Sequence, residues 1–213
     1  MPPPITVLDP NHPDYPTILG HGRTVDPVVT LHAIGDTTLL HRRYLGLFSS
    51  VKCPGDAILR AYDLARELRD AGIPVIGGFH SPMEKECLSL LLRGRQPVIV
   101  VPARGIEGMR VPPAWQPAID GGRLLVLSPF GSAHRRATVA LAERRNAIVE
   151  ALSAALLVVH AAPGGRTERF ALAAATAGKP VLLATAAGNT WLEAAGASRA
   201  DIAVVRTALD AAR

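Results

Sequence analysis

Eight short apolar runs, separated by segments with helical spacing, constrain this chain more than any other feature of it. They are VVTLHAI (Val28 to Ile34), YLGLF (Tyr44 to Phe48), IPVI (Ile73 to Ile76), PVIVV (Pro97 to Val101), RLLVL (Arg123 to Leu127), ALLVVH (Ala155 to His160), PVLLAT (Pro180 to Thr185) and DIAVV (Asp201 to Val205). Several are apolar at consecutive rather than alternate positions, as strands of a parallel sheet covered on both faces must be. The intervening segments read as helices. In DAILRAYDLARELRDAG the residues Ile58, Ala61, Leu64, Ala65 and Leu68 share one face, and Gly72 stands where a C-terminal cap belongs. Ser81, Pro82 and Glu84 spell a capping box with proline at the first helical position. A long helix is expected over Ala137 to Ala154, with Val139, Leu141, Ile148 and Leu152 on its apolar face. Repetition of strand, turn, helix and strand predicts an α/β chain with a Rossmann-like, doubly wound, mainly parallel sheet and helices on both faces. Residues 1–25 read as an irregular Pro-rich lead-in and 26–213 as a single Rossmann-like domain.

In such a sheet, ligands bind beyond the carboxyl ends of the strands, so the residues that follow each apolar run are the informative ones. Ser49, Ser50 and Lys52 follow one run; Gly77, Gly78 and His80 another; Arg104 a third; and Gly164, Gly165, Arg166 and Thr167 lie at a helix start after ALLVVH. Small residues let backbone approach a ligand, and the free N–H groups of a helix's first turn bind anions. Arg145 and Asn146 add a planar cation and an amide from the long helix. The expectation is one phosphate-binding rim. A net charge of +5, supplied mostly by arginine and including the pairs Arg42-Arg43, Arg135-Arg136 and Arg144-Arg145, favours anionic partners. Aromatic residues make up only 4% of the chain, so phosphate contact rather than base stacking has to carry affinity for a nucleic acid. No Gly-x-Gly-x-x-Gly follows a strand and no Walker-type Gly-Lys-Ser/Thr occurs.

Catalytic and metal readings find less support. Cys53 and Cys87 form no metal-type pair and read as free thiols without a His-Asp partner set. Glu84 serves the capping box, Glu86 reads as solvated, and His160 as a hydrogen-bonded residue at a strand end. No cofactor and no metal are expected. No apolar run approaches the ~18 residues of a membrane span, and the lead-in lacks the basic-then-apolar pattern of a signal peptide, so a cytoplasmic location is expected.

Three segments carry a family resemblance. RRNAIVEALSAALLVVHA (Arg144 to Ala161) resembles the Arg-Asn-Arg-Ile-Ile-x-x-Leu-Ser stretch of the DNA-processing protein A (DprA, or Smf) family through Arg145, Asn146, Ile148, Leu152 and Ser153. TERFALAAATAGKPV (Thr167 to Val181) resembles that family's Thr-Ala-x-x-Ala helix and following strand, and GNTWLEAAGA its closing motif through Gly188, Leu192, Gly196 and Ala197. The resemblance runs from about Tyr44 to Ala197. It implies single-stranded DNA binding in DNA processing and recombination, a recombinase partner, and a core able to pair edge to edge as a homodimer. The chain departs from the family where Ser49-Ser50-Val51 stands for Gly-Ser-Arg, leaving Lys52 as the substitute cation, and where GGFHSPMEKECL replaces a glycine-rich segment bearing Asp. It reads as a divergent, core-only member. PGGRTE (Pro163 to Glu168) also resembles, one residue short, the Pro-Gly-Gly-x-Gly-Thr-x-x-Glu motif of lysine-decarboxylase-like phosphoribohydrolases. That resemblance implies a hydrolase of nucleoside monophosphates with Glu168 as its acid, and a sensor that binds a small nucleotide and acts through a partner is a third reading. The missing residue turns Glu168 by about 100° on its helix.

Overall fold

The computed structural model describes residues 3–19, 29–185 and 190–211. Nine strands form one sheet: β1 (Thr6–Leu8), β2 (Leu31–Ile34), β3 (Tyr44–Ser49), β4 (Val75–Gly77), β5 (Val98–Val100), β6 (Leu124–Ser128), β7 (Ser153–His160), β8 (Val181–Leu183) and β9 (Ser198–Arg199). The helices between and after them are α1 (Gly55–Asp70), α2 (Pro82–Leu91), α3 (Gln116–Asp120), α4 (Val139–Ala151), α5 (Arg166–Thr176), α6 (Thr190–Ala194) and α7 (Ile202–Ala211). In space the strands run β1-β2-β6-β5-β4-β3-β7-β8-β9. All neighbours from β6 to β9 are parallel, and only the β1–β2 and β2–β6 pairs are antiparallel. The doubly wound α/β architecture read from the sequence is therefore the observed one.

Its order explains where a ligand fits. From β3 the chain steps through β4, β5 and β6 in one direction, then returns and adds β7, β8 and β9 on the other side of β3. The reversal lies between β3 and β7, and a doubly wound sheet opens a crevice at that point. Alternate residues divide the core in two. Leu45, Leu47, Val75, Val98, Val100 and Leu157 pack beneath α1, α2 and α7. Phe48, Ile76, Ile99, Leu125 and Val158 pack against α4, α5 and the N-terminal segment on the opposite face. The helix signals act as read: Ala61, Leu64, Ala65 and Leu68 of α1 are buried, and the Ser81–Glu84 capping box forms in full, with Pro82 opening α2.

Three expectations change. Asp201 to Val205 is not a strand but the start of α7. The Asp201 carboxylate accepts from the Val204 N–H at 2.8 Å, and Val205, Ala208 and Leu209 recur at helical spacing against the core. A run of five apolar or small residues fits either period, and here the neighbours at 208 and 209 decide it. The lead-in read as irregular supplies β1 and a 3₁₀ turn (Thr17–Leu19), because Leu8, Tyr15 and Leu19 have core to bury in. The long helix starts later and stops earlier than read. Thr138 caps it by accepting from the Leu141 N–H, and Val139 lies 50% exposed instead of on the apolar face. The run Val28 to Ile34 begins one residue outside the described segment, and Gly188 also lies outside the described residues.

Gly46, central in β3, lies beside Leu156 of β7 with no room for a side chain. A Cβ there would collide with the Ser153 hydroxyl and reach Leu156 Cδ2 at 3.0 Å. Gly46→Ala should therefore lower stability by about 1–3 kcal/mol through overpacking, read as a drop in urea midpoint with an unchanged slope.

Candidate functional site

The β3 and β4 ends are organised by one buried carboxylate. Glu84 sits in the first turn of α2, 6% exposed. Its Oε1 accepts from the Ser49 N–H at 2.9 Å, and its Oε2 accepts from the N–H groups of His80 (2.7 Å) and Ser81 (3.1 Å). The sequence assigns Glu84 to the cap alone; the same side chain also ties the turn after β4 to the end of β3. Between those partners Phe79 adopts φ 45°, a left-handed conformation that costs a non-glycine residue about 1–2 kcal/mol, while its ring is buried in the core.

Arg145 completes this node from α4. It is 6% exposed, its Nη1 donates to the Val101 carbonyl at 3.1 Å and its Nε to the Asn146 side-chain oxygen at 2.7 Å. Burial pulls its pKa below the usual guanidinium range, and the Glu84 carboxylate opposes that pull. A Cβ at Gly78 would fall inside the Arg145 guanidinium, so any other residue there displaces that side chain from its place. On the other side, Ser50 joins β3 to β7: its N–H donates to the His160 carbonyl at 2.8 Å and its hydroxyl accepts from the Ala162 N–H at 2.9 Å.

The structure divides the expected single rim into two clefts, one on each side of α4. The switch-point cleft, about 640 Å³, gathers Ser49, Ser50, Lys52, Asn146, Arg166 and Thr167 at the ends of β3 and β7. Arg169, Phe170 and the exposed side chains of Val51 and Val139 complete its walls. Its one carboxylate, Glu143, stands 3.6 Å from Arg166 in an exposed pair. The second cleft, about 940 Å³, lies over β4 and β5 and holds Gly78, His80, Arg104 and Arg145. Lys85, Arg93, Arg135, Arg136 and Trp115 join them there, and among the described residues no Asp or Glu lines it. Gly77 closes β4 as a buried strand residue, Gly164 turns the chain, and Gly165 caps α5; these three line neither cleft.

Glu168 also lines neither cleft, and its Oε2 is buried without a hydrogen-bond partner among the described residues. The cysteines are free, and burial pushes both thiols up, Cys87 to about 12, so neither is an activated nucleophile. His160 is 8% exposed. Its Nδ1 has no hydrogen-bond partner among the described residues, unlike the bonded histidine expected, and burial lowers its pKa against the pull of Asp56. Glu86 is less free than read, since it accepts from the Tyr62 hydroxyl at 3.0 Å. Among the described residues no cluster of potential metal ligands occurs and no helix is long and apolar enough to cross a membrane. Sequence reading missed Lys85 of α2, Arg93 just beyond that helix and the cations of the loop before α4 as cleft residues, although Arg135-Arg136 already stood out as a pair.

A family model described as DNA recombination-mediator protein A matches residues 6–203. No curated protein sequence matches the chain. Among solved structures, DNA processing protein A from Streptococcus pneumoniae is 18% identical with a TM-score of 0.74, over 92% of this chain and 71% of that one. DNA processing protein A from Helicobacter pylori, described for its single-stranded DNA binding mode, is 18% identical with a TM-score of 0.73, over 98% of each chain. The molybdenum cofactor carrier protein of Chlamydomonas reinhardtii is 19% identical with a TM-score of 0.55, over 79% of this chain and 99% of that one. At these identities the likeness is one of fold.

Two measurements check the node and its surroundings. Glu84→Ala strips three N–H groups of their acceptor and should cost at least about 2 kcal/mol in chemical denaturation. His160 prefers to be neutral when folded, so its contribution is present above its unfolded pKa of about 6.5 and is lost as pH falls below that value. Wild-type stability should therefore decline on acidification from pH 7 to 5, and His160→Gln should flatten that part of the profile.

Proposed function

Because the chain belongs to the DNA recombination-mediator protein A family, we propose that it binds single-stranded DNA through phosphate contacts at the switch-point cleft and acts in DNA processing without catalysis. The observation that carries this reading is the convergence of Lys52, Arg166 and Thr167 with Ser49, Ser50 and Asn146 where the strand order reverses. The Ser50 and Thr167 hydroxyls and the Asn146 amide supply donors, the cations supply charge, and α5 starts beside them with its first N–H groups unpaired within the helix. These cations, hydroxyls and amide suit phosphate oxygens, so the proposed recognition falls on the backbone, in keeping with the low aromatic content. Lys52 takes the place of the family's strand-end arginine.

The hydrolase alternative has less support, since its acid, Glu168, lies outside both clefts. A nucleotide sensor would use the same anion contacts and differs only in ligand length. A recombinase partner and the pairing of two copies rest on the family resemblance alone.

Fluorescence anisotropy with a labelled strand of about 20 nucleotides over a salt series tests the proposal. Affinity should fall steeply with salt and resist competition by nucleoside monophosphates. Lys52→Ala and Arg166→Ala should each weaken binding equally for all sequences and reduce the slope of log K against log salt by about 0.7. Absence of strand binding, together with thermal stabilisation by a monophosphate, would replace this reading with the mononucleotide one.

A further inference from the structure

We infer that the two clefts are successive subsites of one track, which a single strand occupies by crossing the start of α4. The inference rests on the nucleic-acid reading above and extends it to a cleft that reading does not use. Neighbouring strands lie about 4.8 Å apart, so the end of β5 stands three steps, about 14 Å, from the end of β7. The two sets of cations at those ends are thus separate anion sites on one sheet edge. A mononucleotide fills one of them, whereas a polymer engages both.

The wall between them is built from one segment that lines both. Residues 132–140 are exposed throughout. Within that segment Arg135, Arg136 and Ala137 line the β4/β5 cleft, and Val139 lines the switch-point cleft. The crest carries Ala137, Thr138 and Ala140, so no large side chain bars a strand from passing over it. It is also the N-terminal end of a 13-residue helix, where partial positive charge favours a phosphate.

Charge extends the track in the same direction. Lys85, Arg93, Arg104, Arg135 and Arg136 are exposed around the larger cleft, and none of them pairs with a carboxylate among the described residues. Five cations facing one hollow repel each other unless an anion lies between them. A third cleft of about 510 Å³ continues past Arg104 and Arg135 to Arg110, with the Glu107 carboxylate, 3.2 Å from His32, also in its wall. In the larger cleft Trp115 offers one aromatic face and Met109 and Leu88 apolar floor, enough to shelter a base without specifying it.

Anisotropy with oligothymidylates of about 4 and about 16 nucleotides tests the track, using Arg135→Ala/Arg136→Ala for one cleft and Lys52→Ala/Arg166→Ala for the other. All four side chains are exposed, so both variants keep the fold. Linking two subsites multiplies affinity by about 100-fold or more, so the longer strand should bind the wild type that much tighter than the shorter one. Either double variant should remove most of that gain and lower the salt slope for the longer strand by about 1.4. Equal affinity for the two lengths would overturn the track. So would an Arg135→Ala/Arg136→Ala variant that binds the longer strand like the wild type while Lys52→Ala/Arg166→Ala loses it; in that case the switch-point site stands alone. If neither length binds the wild type, the nucleic-acid reading and the track fall together.

Discussion

The Glu84 carboxylate is the constraint on which the binding edge depends. Strand ends in a doubly wound sheet have no partners beyond the last ladder bond, so their loops need some other acceptor for the N–H groups they bring. Here one side chain accepts from Ser49 on β3 and from His80 and Ser81 after β4. The same residue caps α2, so helix, turn and central strand share one fixed point. That fixed point lets Phe79 hold a left-handed conformation and brings Gly78 against Arg145. The buried guanidinium then reaches across to Val101 at the end of β5, and the ends of three strands are braced as one unit.

This bracing separates structural charge from charge offered to a ligand. Arg145 and Glu84 are buried and committed to the scaffold, whereas Lys52, Arg104, Arg135, Arg136 and Arg166 stand on the surface. Spending one arginine on the interior keeps the loops still while the outer cations lie on a rigid edge, which lowers the ordering cost of binding an anion. Helix α4 serves both roles. Its Arg145 belongs to the interior, its neighbour Asn146 opens to the switch-point cleft, and its exposed start forms the wall between the two hollows.

The sequence made the architecture and the parts of the edge legible, but not how the parts are shared out. Strand runs, the Ser81–Glu84 box and the small residues after β3, β4 and β7 are local signals, and local chemistry sets them. The division of the rim is a tertiary fact: Arg145 and Asn146 are adjacent in sequence, and only the packing of α4 sends them to opposite sides. Val139 shows the same limit, since its helical position fits an apolar face that the structure turns to solvent. Asp201 to Val205 fits strand and helix equally until Ala208 and Leu209 are seen to share its buried side. The Pro-rich start hid β1 because three residues paired on a sheet edge leave almost no periodic trace.

The placement of β7 beside β3 also bears on how the chain reaches this state. Tyr44 pairs with Ser153 and Phe48 with Val158, so this pairing closes a loop of roughly a hundred residues. Every other parallel neighbour of β3 and β4 forms over a much shorter stretch. During synthesis β3 through β6 can assemble first, leaving one side of β3 as a bare apolar edge until β7 emerges. The crevice between β3 and β7 comes into being only with that slow, long-range closure, so a chain stalled before it presents an edge prone to wrong pairing and has no complete site to fill.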